Sequence, residues 1–516
     1  MTSRTVLDVL IVGTGFAGIG MGIRLKQAGL DDFTILEQAD GVGGTWRDNR
    51  YPGAACDVPS HLYSFSFEPN PKWTRAFAPQ AEILEYLEHC TTKYGLRPHL
   101  RLNAKVTRAT FDERAGIWEV AAADGRTWRA RALVSGIGGL SQPAYPDIPG
   151  LASFEGKTFH SARWDHAFPL DGKTVGLIGT GASAIQIVPE IAPKVGHLDL
   201  FQRTPPWIMP KEDRDIRPLE RAIFRRVPAL QQLARTAIYW ALEWRAVAFV
   251  VEPRLLEKAQ PLALRYLASR VKDPALRQKL TPSYTLGCKR ILLSNDYFQA
   301  VQRPNVDVVT DGIERVTPRG VLTKDGRERP LDALVLATGF KAADYTLPFE
   351  TRGAGGRDLS DTWRNGAEAY LGTSIAGFPN LFMIVGPNTG LGHNSMVFII
   401  ESQIQYVMDC LQTMRSRKLK SVDVKPDAQA RYNESLQARL AKTVWNTGGC
   451  ASWYRTSEGK NTTLWPGFTV EFRLRTRRFD PAPYHLVPLD GPGRTEGRGR
   501  RSRESFEQGA QAAPAE

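Results

Sequence analysis

The stretch Val6-Leu-Asp-Val-Leu-Ile-Val12, running directly into Gly13-Thr-Gly15-Phe16-Ala17-Gly18, decides the fold. An apolar run of strand length that meets a glycine-rich turn predicts a buried parallel strand feeding a helix. In such a turn the first glycine permits the tight bend and the second lets backbone approach a pyrophosphate. The third allows close packing of helix on strand. The helical segment that follows stops at Gly29, where a left-handed cap is easy for glycine. A second strand, 33–36, ends at Glu37. The same arrangement recurs: an apolar run at 173–178, the turn Gly179-Thr180-Gly181-Ala182-Ser183-Ala184, a helix interrupted by Pro189, and a strand at 197–201. Two further apolar runs, 132–136 and 334–339, end in glycine and read as buried strands meeting a ligand or a domain crossing. The expected fold class is α/β, with two Rossmann-like dinucleotide-binding domains.

The two turns differ in the charge that follows them. Glu37 lies 19 residues after Gly18, at the end of the second strand. A carboxylate there accepts hydrogen bonds from a ribose 2′-hydroxyl and repels a 2′-phosphate. Arg203, followed by Thr204, lies 19 residues after Ala184. A guanidinium in that place pairs with a 2′-phosphate in a fork geometry. One site therefore expects FAD or NAD and the other NADP, and two such sites in one chain suggest FAD and NADPH exchanging electrons.

Composition bounds the remainder. The chain has 516 residues, too many for one hydrophobic core, and a formal charge of +13. Such an excess fits nucleic acid, anionic lipid or phosphorylated cofactors, and a basic enzyme is the plainest reading. No run of 18 apolar residues occurs, so no spanning segment is expected. The start shows no signal-peptide pattern. Five cysteines, at 56, 90, 288, 410 and 450, include no closely spaced pair. A disulfide framework, a metal site and a redox-active dithiol are therefore not expected, and a reducing cytoplasm fits best. Strand signals stop between about 211 and 280, which reads as an α-helical insertion. Within it, 237–251 is apolar apart from Glu243 and Arg245 and reads as a packed or channel-lining helix. From 491 onward periodicity disappears and a disordered tail is expected. The tail's arginines are nearly balanced by glutamates, so no nucleic-acid partner is expected.

Between the two turns stands Phe154-Glu-Gly156-Lys-Thr-Phe-His160-Ser-Ala-Arg-Trp164-Asp165. With Gly43-Gly44-Thr45-Trp46 leading to Tyr51-Pro52-Gly53 and Asp57, it resembles the fingerprint of the type I Baeyer–Villiger monooxygenases. The likeness extends through Lys289-Arg290, 337–339 and Trp453-Tyr454, and covers roughly residues 5 to 485. It implies an FAD domain split in sequence (1–145 and 341–490, with a mobile C-terminal loop). An NADP domain (146–208 and 285–340) is inserted in it, and a helical insertion (209–284) in that. The implied reaction is NADPH- and oxygen-dependent, inserting one oxygen atom next to a ketone carbonyl through a flavin peroxide to give an ester or lactone. Arg290 is then the catalytic cation and Asp57 its counterion. Lys289 adds to the 2′-phosphate site, and Trp46 and Tyr51 pack near the flavin. Phe154, Gly156, His160 and Trp164 link the domains, Cys56 and Cys288 are small packing residues, and the Trp453 loop closes over NADP.

Three alternatives stay open at this point. A flavin monooxygenase acting on nitrogen or sulfur would not need Arg290 and Asp57. A disulfide reductase lacks its redox cysteine pair here. A non-catalytic FAD/NADP-binding sensor would not consume NADPH with ketone. The expected substrate is a lipophilic ketone, on the enrichment around Trp240 and Trp244. The sequence leaves ketone type and oligomeric state open, with a monomer admissible.

Overall fold

The computed structural model describes residues 2–342 and 347–489; the tail expected from 491 lies outside them. Two sheets organise the chain. The larger runs from edge to edge as Glu350–Arg352, Val106–Asp112, Ile117–Ala122, Thr127–Ser135, Thr2–Val12, Phe33–Leu36 and Leu100–Arg101, with Leu381–Met383 also paired to Thr127–Ser135. Its centre is parallel, and Ile117–Ala122 pairs antiparallel on both sides. The second sheet is wholly parallel, in the order Val306–Val309, His197–Phe201, Thr174–Ile178, Ala333–Leu336 and Lys157–His160. Residues 9–12 and 33–36 are buried on both faces. That is why these strands read as unbroken apolar runs rather than alternating ones.

The chain crosses between the sheets twice, and the two crossings pair with each other. The Ala144 amide donates to the Gly339 carbonyl at 2.9 Å and the Lys341 amide to the Gln142 carbonyl at 3.0 Å. Three helices of the insertion, Pro218–Arg226, Pro228–Glu243 and Pro274–Lys279, begin with proline, whose missing amide is no loss in a first turn. Arg254–Arg270 completes the set. Pro189 falls in the last turn of Ala182–Ile191, and that helix still runs ten residues. The apolar segment 237–251 is not one packed helix. Helix Pro228–Glu243 ends inside it, and a π-helical turn, Val247–Val251, follows.

The cysteines overturn one expectation. Cys288 and Cys450 form a disulfide, their Cα atoms 6.1 Å apart although 162 residues separate them in sequence. Chain spacing is blind to such a pair, because tertiary packing alone brings the two loops together. Cys288 is therefore a crosslink and not a packing residue. The cysteine argument for a reducing compartment falls with it. Cys56, Cys90 and Cys410 are free and buried.

Candidate active site

The two glycine-rich turns have nearly the same backbone. Gly13 and Gly179 have φ of +102° and +119°, values that favour glycine. Gly15 and Gly181 cap the following helices, Phe16–Gln27 and Ala182–Ile191, at φ/ψ of −76°/−168° and −78°/−168°. A Cβ on Gly15 would come no closer than 3.9 Å to the Gly44 Cα, and one on Gly181 would meet nothing within 4 Å. Both middle glycines thus face open space at a helix N-terminus whose first turn carries no acid. Backbone cradled around such a space fits a pyrophosphate.

Their surroundings differ. The first turn opens into a cavity of about 770 Å³ whose wall includes Gly13, Glu37, Trp46, Tyr63, Arg290 and Trp453. Glu37 is buried and held from four directions. It accepts from the Thr14 amide (3.1 Å), the Thr14 hydroxyl (2.5 Å) and the Ala39 amide (3.0 Å), and pairs with Arg47 at 3.1 Å. At the second turn Arg203 is exposed. Burial, and then repulsion from Arg203, lower the Lys289 ammonium pKa below that of an ordinary lysine. Among the described residues neither cation forms an ion pair with a carboxylate. Two converging, unpaired cations make an anion site.

Arg290 and Asp57 meet on the cavity side of the molecule. Arg290 Nε donates to Asp57 Oδ2 at 2.7 Å, and Nη1 reaches the Leu391 carbonyl at 3.4 Å. Burial alone would raise the Asp57 carboxyl, but the Arg290 guanidinium outweighs it and holds that carboxyl below the usual range. Attraction to Asp57 raises Arg290 in turn. Each thus favours the charged form of the other. Tyr454 stands beside them, buried, and burial pushes its phenol up to about 12. The disulfide ties the loop bearing Lys289-Arg290 to the loop bearing Trp453-Tyr454, yet neither cysteine lines the cavity.

Gly44, Thr45, Phe16, Ala17 and Trp46 lie on the cavity wall. Tyr51, expected beside the flavin, is not on that wall. Its hydroxyl donates to Gln186 Oε1 at 2.9 Å, on the helix after the second turn, and Gln186 Nε2 donates to the Ala55 carbonyl at 3.0 Å. The segment that follows the first turn thus rests on the helix of the second. Thr180 donates to the Thr204 carbonyl at 2.8 Å, which joins its turn to the strand end bearing Arg203. His160 is fully buried at the end of its strand, and its Nδ1 accepts from the Ala162 amide at 3.1 Å. Its ring lies between Tyr145 and Phe340, one from each crossing segment, with centroids 5.5 and 6.0 Å away. Burial lowers its pKa. Trp164 packs edge-on to Phe159 at 5.0 Å. Phe154 closes over Gly156, where a Cβ would meet the Asp332 carbonyl at 2.7 Å.

Sequence reasoning missed Arg47, Tyr63 and Lys211. Arg47 follows directly on Trp46, and only the fold shows that it is the partner of Glu37. Tyr63 accepts from Trp46 Nε1 at 3.1 Å. Lys211 lies 3.9 Å from Asp213, and burial lowers its pKa, with the charges of Asp213 and Asp57 opposing that effect. Trp240 and Trp244, which suggested a lipophilic substrate, face solvent and do not line the cavity.

A family profile described as pyridine nucleotide-disulphide oxidoreductase matches residues 10–237. The Baeyer–Villiger monooxygenase of Pseudomonas aeruginosa is 55% identical over 480 residues, covering 93% of this chain and 91% of that protein. That of Streptomyces coelicolor is 50% identical, covering 93% and 92%. The crystal structure of cyclohexanone monooxygenase from Rhodococcus sp. Phi1 bound to NADP+ superposes with a TM-score of 0.84 at 30% identity, covering 94% of this chain and all of that one.

Proposed function

The chain belongs to the Baeyer–Villiger monooxygenases, FAD-containing enzymes that use NADPH and oxygen to insert one oxygen atom beside a ketone carbonyl, and from that premise we propose how its residues divide the work. Bound FAD supplies the ring that accepts hydride and activates oxygen. Residues 1–145 and 341–490 form the domain that holds it, with Gly13, Gly15, Gly18, Gly44 and Thr45 around the pyrophosphate. Glu37 has all its acceptor positions engaged by Thr14, Ala39 and Arg47. It holds the turn in shape and keeps a negative charge at the ribose end, against any 2′-phosphate. Residues 146–208 and 285–340 bind NADP, with Arg203, Thr204 and Lys289 on its 2′-phosphate and Gly179 to Ser183 at its pyrophosphate. Residues 209–284 are the helical insertion.

Arg290 is the catalytic residue. Its guanidinium presents a fixed positive charge where negative charge develops on the carbonyl oxygen of an attacked ketone. Asp57 holds it there and keeps it protonated. The Arg290–Asp57 pair at 2.7 Å, beside the cavity that the first turn opens into, is the observation that carries this reading. His160 and Trp164 act as positioning residues at the double crossing between the sheets. The Trp453 loop covers the cavity mouth. Trp46, Leu391, Met396, Ile400 and Trp453 make that wall apolar and suit it to a lipophilic ketone. A cytoplasmic location follows from the NADPH consumed in every turnover.

Arg290→Ala is expected to lower ester formation by about 10²–10³-fold or more while flavin reduction by NADPH persists. Mass spectrometry of products from a ketone panel reads the first, and anaerobic stopped-flow absorbance reads the second. Undiminished gain of one oxygen by any ketone in the variant would refute the assignment.

A further inference from the structure

Helix Pro228–Glu243 is built inside out. Gln231, Arg235, Tyr239 and Glu243 recur every fourth residue and make one stripe, and that polar stripe faces the protein. Gln231 donates to the Asn70 carbonyl at 2.7 Å, and Arg235 to the His61 carbonyl at 2.9 Å. Tyr239 is 3.0 Å from the Thr469 hydroxyl. Glu243 accepts from Asn394 and Thr469 at 2.7 Å each and from the Val470 amide at 3.1 Å. These contacts anchor the helix with nearly every buried polar group satisfied.

The opposite face is apolar and points outward. Leu233 is 66% exposed, Trp240 48% and Trp244 72%, at spacings of seven and four that keep them on one side of the helix. The preceding helix, Pro218–Arg226, adds Leu219 at 70%. Among the described residues, 11 of the 17 exposed large hydrophobic side chains fall between 219 and 264. Exposed apolar side chains concentrated in one insertion suit a cover.

Charge says what kind of cover. From 217 to 265 there are nine Lys and Arg against four Asp and Glu, and one of each sign, Arg235 and Glu243, is buried. The net excess of five is more than a third of the chain's +13. Arg225, Arg226 and Arg245 have no carboxylate partner among the described residues. A second copy docked through this face by two-fold symmetry would set one net-basic surface against another, which like-charge repulsion opposes. An anionic bilayer surface meets both demands. Tryptophan and leucine seat at the headgroup boundary, and arginines pair with lipid phosphates. We propose that the outward face of the helical insertion docks the enzyme on an anionic lipid surface, lying on the membrane without crossing it. No helix among the described residues is long and apolar enough to span one.

The test is flotation of the full-length, FAD-loaded enzyme with vesicles of phosphatidylcholine alone or mixed equally with phosphatidylglycerol. At least about fivefold more protein is expected on the anionic vesicles, falling severalfold between about 0.1 and 0.5 M salt. The double variant Trp240→Ser/Trp244→Ser is expected to lose about tenfold in bound fraction while flavin content and turnover of a small water-soluble ketone stay unchanged. Arg225→Gln/Arg226→Gln is expected to weaken binding to anionic vesicles alone and serves if the tryptophan variant misfolds. Equal or absent partitioning to the two vesicle types, or flotation indifferent to both double variants, would overturn the proposal. So would a solution dimer, seen by light scattering, that the tryptophan substitutions dissociate.

Discussion

The two glycine-rich turns share a backbone and differ in nearly everything attached to it. Gly13-to-Gly18 and Gly179-to-Ala184 follow parallel strands, bend through a left-handed first glycine and cap helices with almost identical angles. Around the first, an acidic side chain is buried and saturated with hydrogen bonds, and the turn opens into a large cavity. At the second, a basic side chain is exposed, and a second cation is crowded against it. The backbone supplies general pyrophosphate binding. The side chain 19 residues on, and how deeply it is buried, supply discrimination. A deep pocket beside a closed hydrogen-bond network suits a cofactor that stays. An open anion site on unpaired cations suits one that arrives and leaves. On the proposed assignment, Arg290 and Lys289 are neighbours in sequence and serve different turns.

The largest effects should come from filling the open space at each middle glycine. Gly15→Val is expected to abolish FAD retention, read as loss of the flavin absorbance of the purified protein, because side-chain carbons would occupy the pyrophosphate path. Gly181→Val should leave flavin bound and raise KM for NADPH by about 10–100-fold, the equivalent of roughly 1–3 kcal/mol of overpacking. A variant pair in which both lose FAD would break the division of labour between the turns.

Charge removal at the second turn should come next. Arg203→Ala with Lys289→Ala is expected to cut the preference for NADPH over NADH by about 10–100-fold, mostly through KM for NADPH. Steady-state kinetics with both nucleotides would show it, and an unchanged ratio would place the 2′-phosphate elsewhere.

A smaller effect is a shift in pH dependence. The folded protein holds Lys289 below the ordinary lysine pKa, so the ammonium is lost earlier as pH rises. NADPH binding should therefore weaken on the alkaline side and stay level towards neutrality. Arg203→Gln removes one of the two causes and should move that alkaline limb to higher pH. KM for NADPH measured from about pH 7 to 10 in both proteins tests the sign. A separate effect should be on stability rather than on nucleotide binding. Cys288→Ser removes a crosslink between segments 162 residues apart and should cost about 2–4 kcal/mol against denaturant, with the flavin still bound.

Much of the site was legible in the chain because it depends on spacing. Strand, turn, helix and strand end have fixed lengths, so Glu37 and Arg203 could be located by counting. The Lys289-Arg290 pair could not be read that way, since a basic dipeptide carries no direction. Its meaning rests on the family resemblance and on the 2.7 Å contact with Asp57, 233 positions away. Tyr51 shows the limit from the other side: its motif suggested the flavin, and packing turned it onto Gln186.

By itself, then, the sequence determined what is periodic or local: the two nucleotide turns, their opposite charges, the buried parallel strands and the helical character of the insertion. Only tertiary structure decided what joins distant segments. The Cys288–Cys450 bond, the clasp of Arg47 on Glu37 and the pairing of the two crossings around His160 are all of that kind. So is the outward turn of Trp240 and Trp244. Periodicity says that a helix has two faces, and it assigns the apolar one to the interior by default. Here Gln231, Arg235, Tyr239 and Glu243 found hydrogen-bond partners on the body of the protein, and satisfying those four inward groups left the apolar face to the outside.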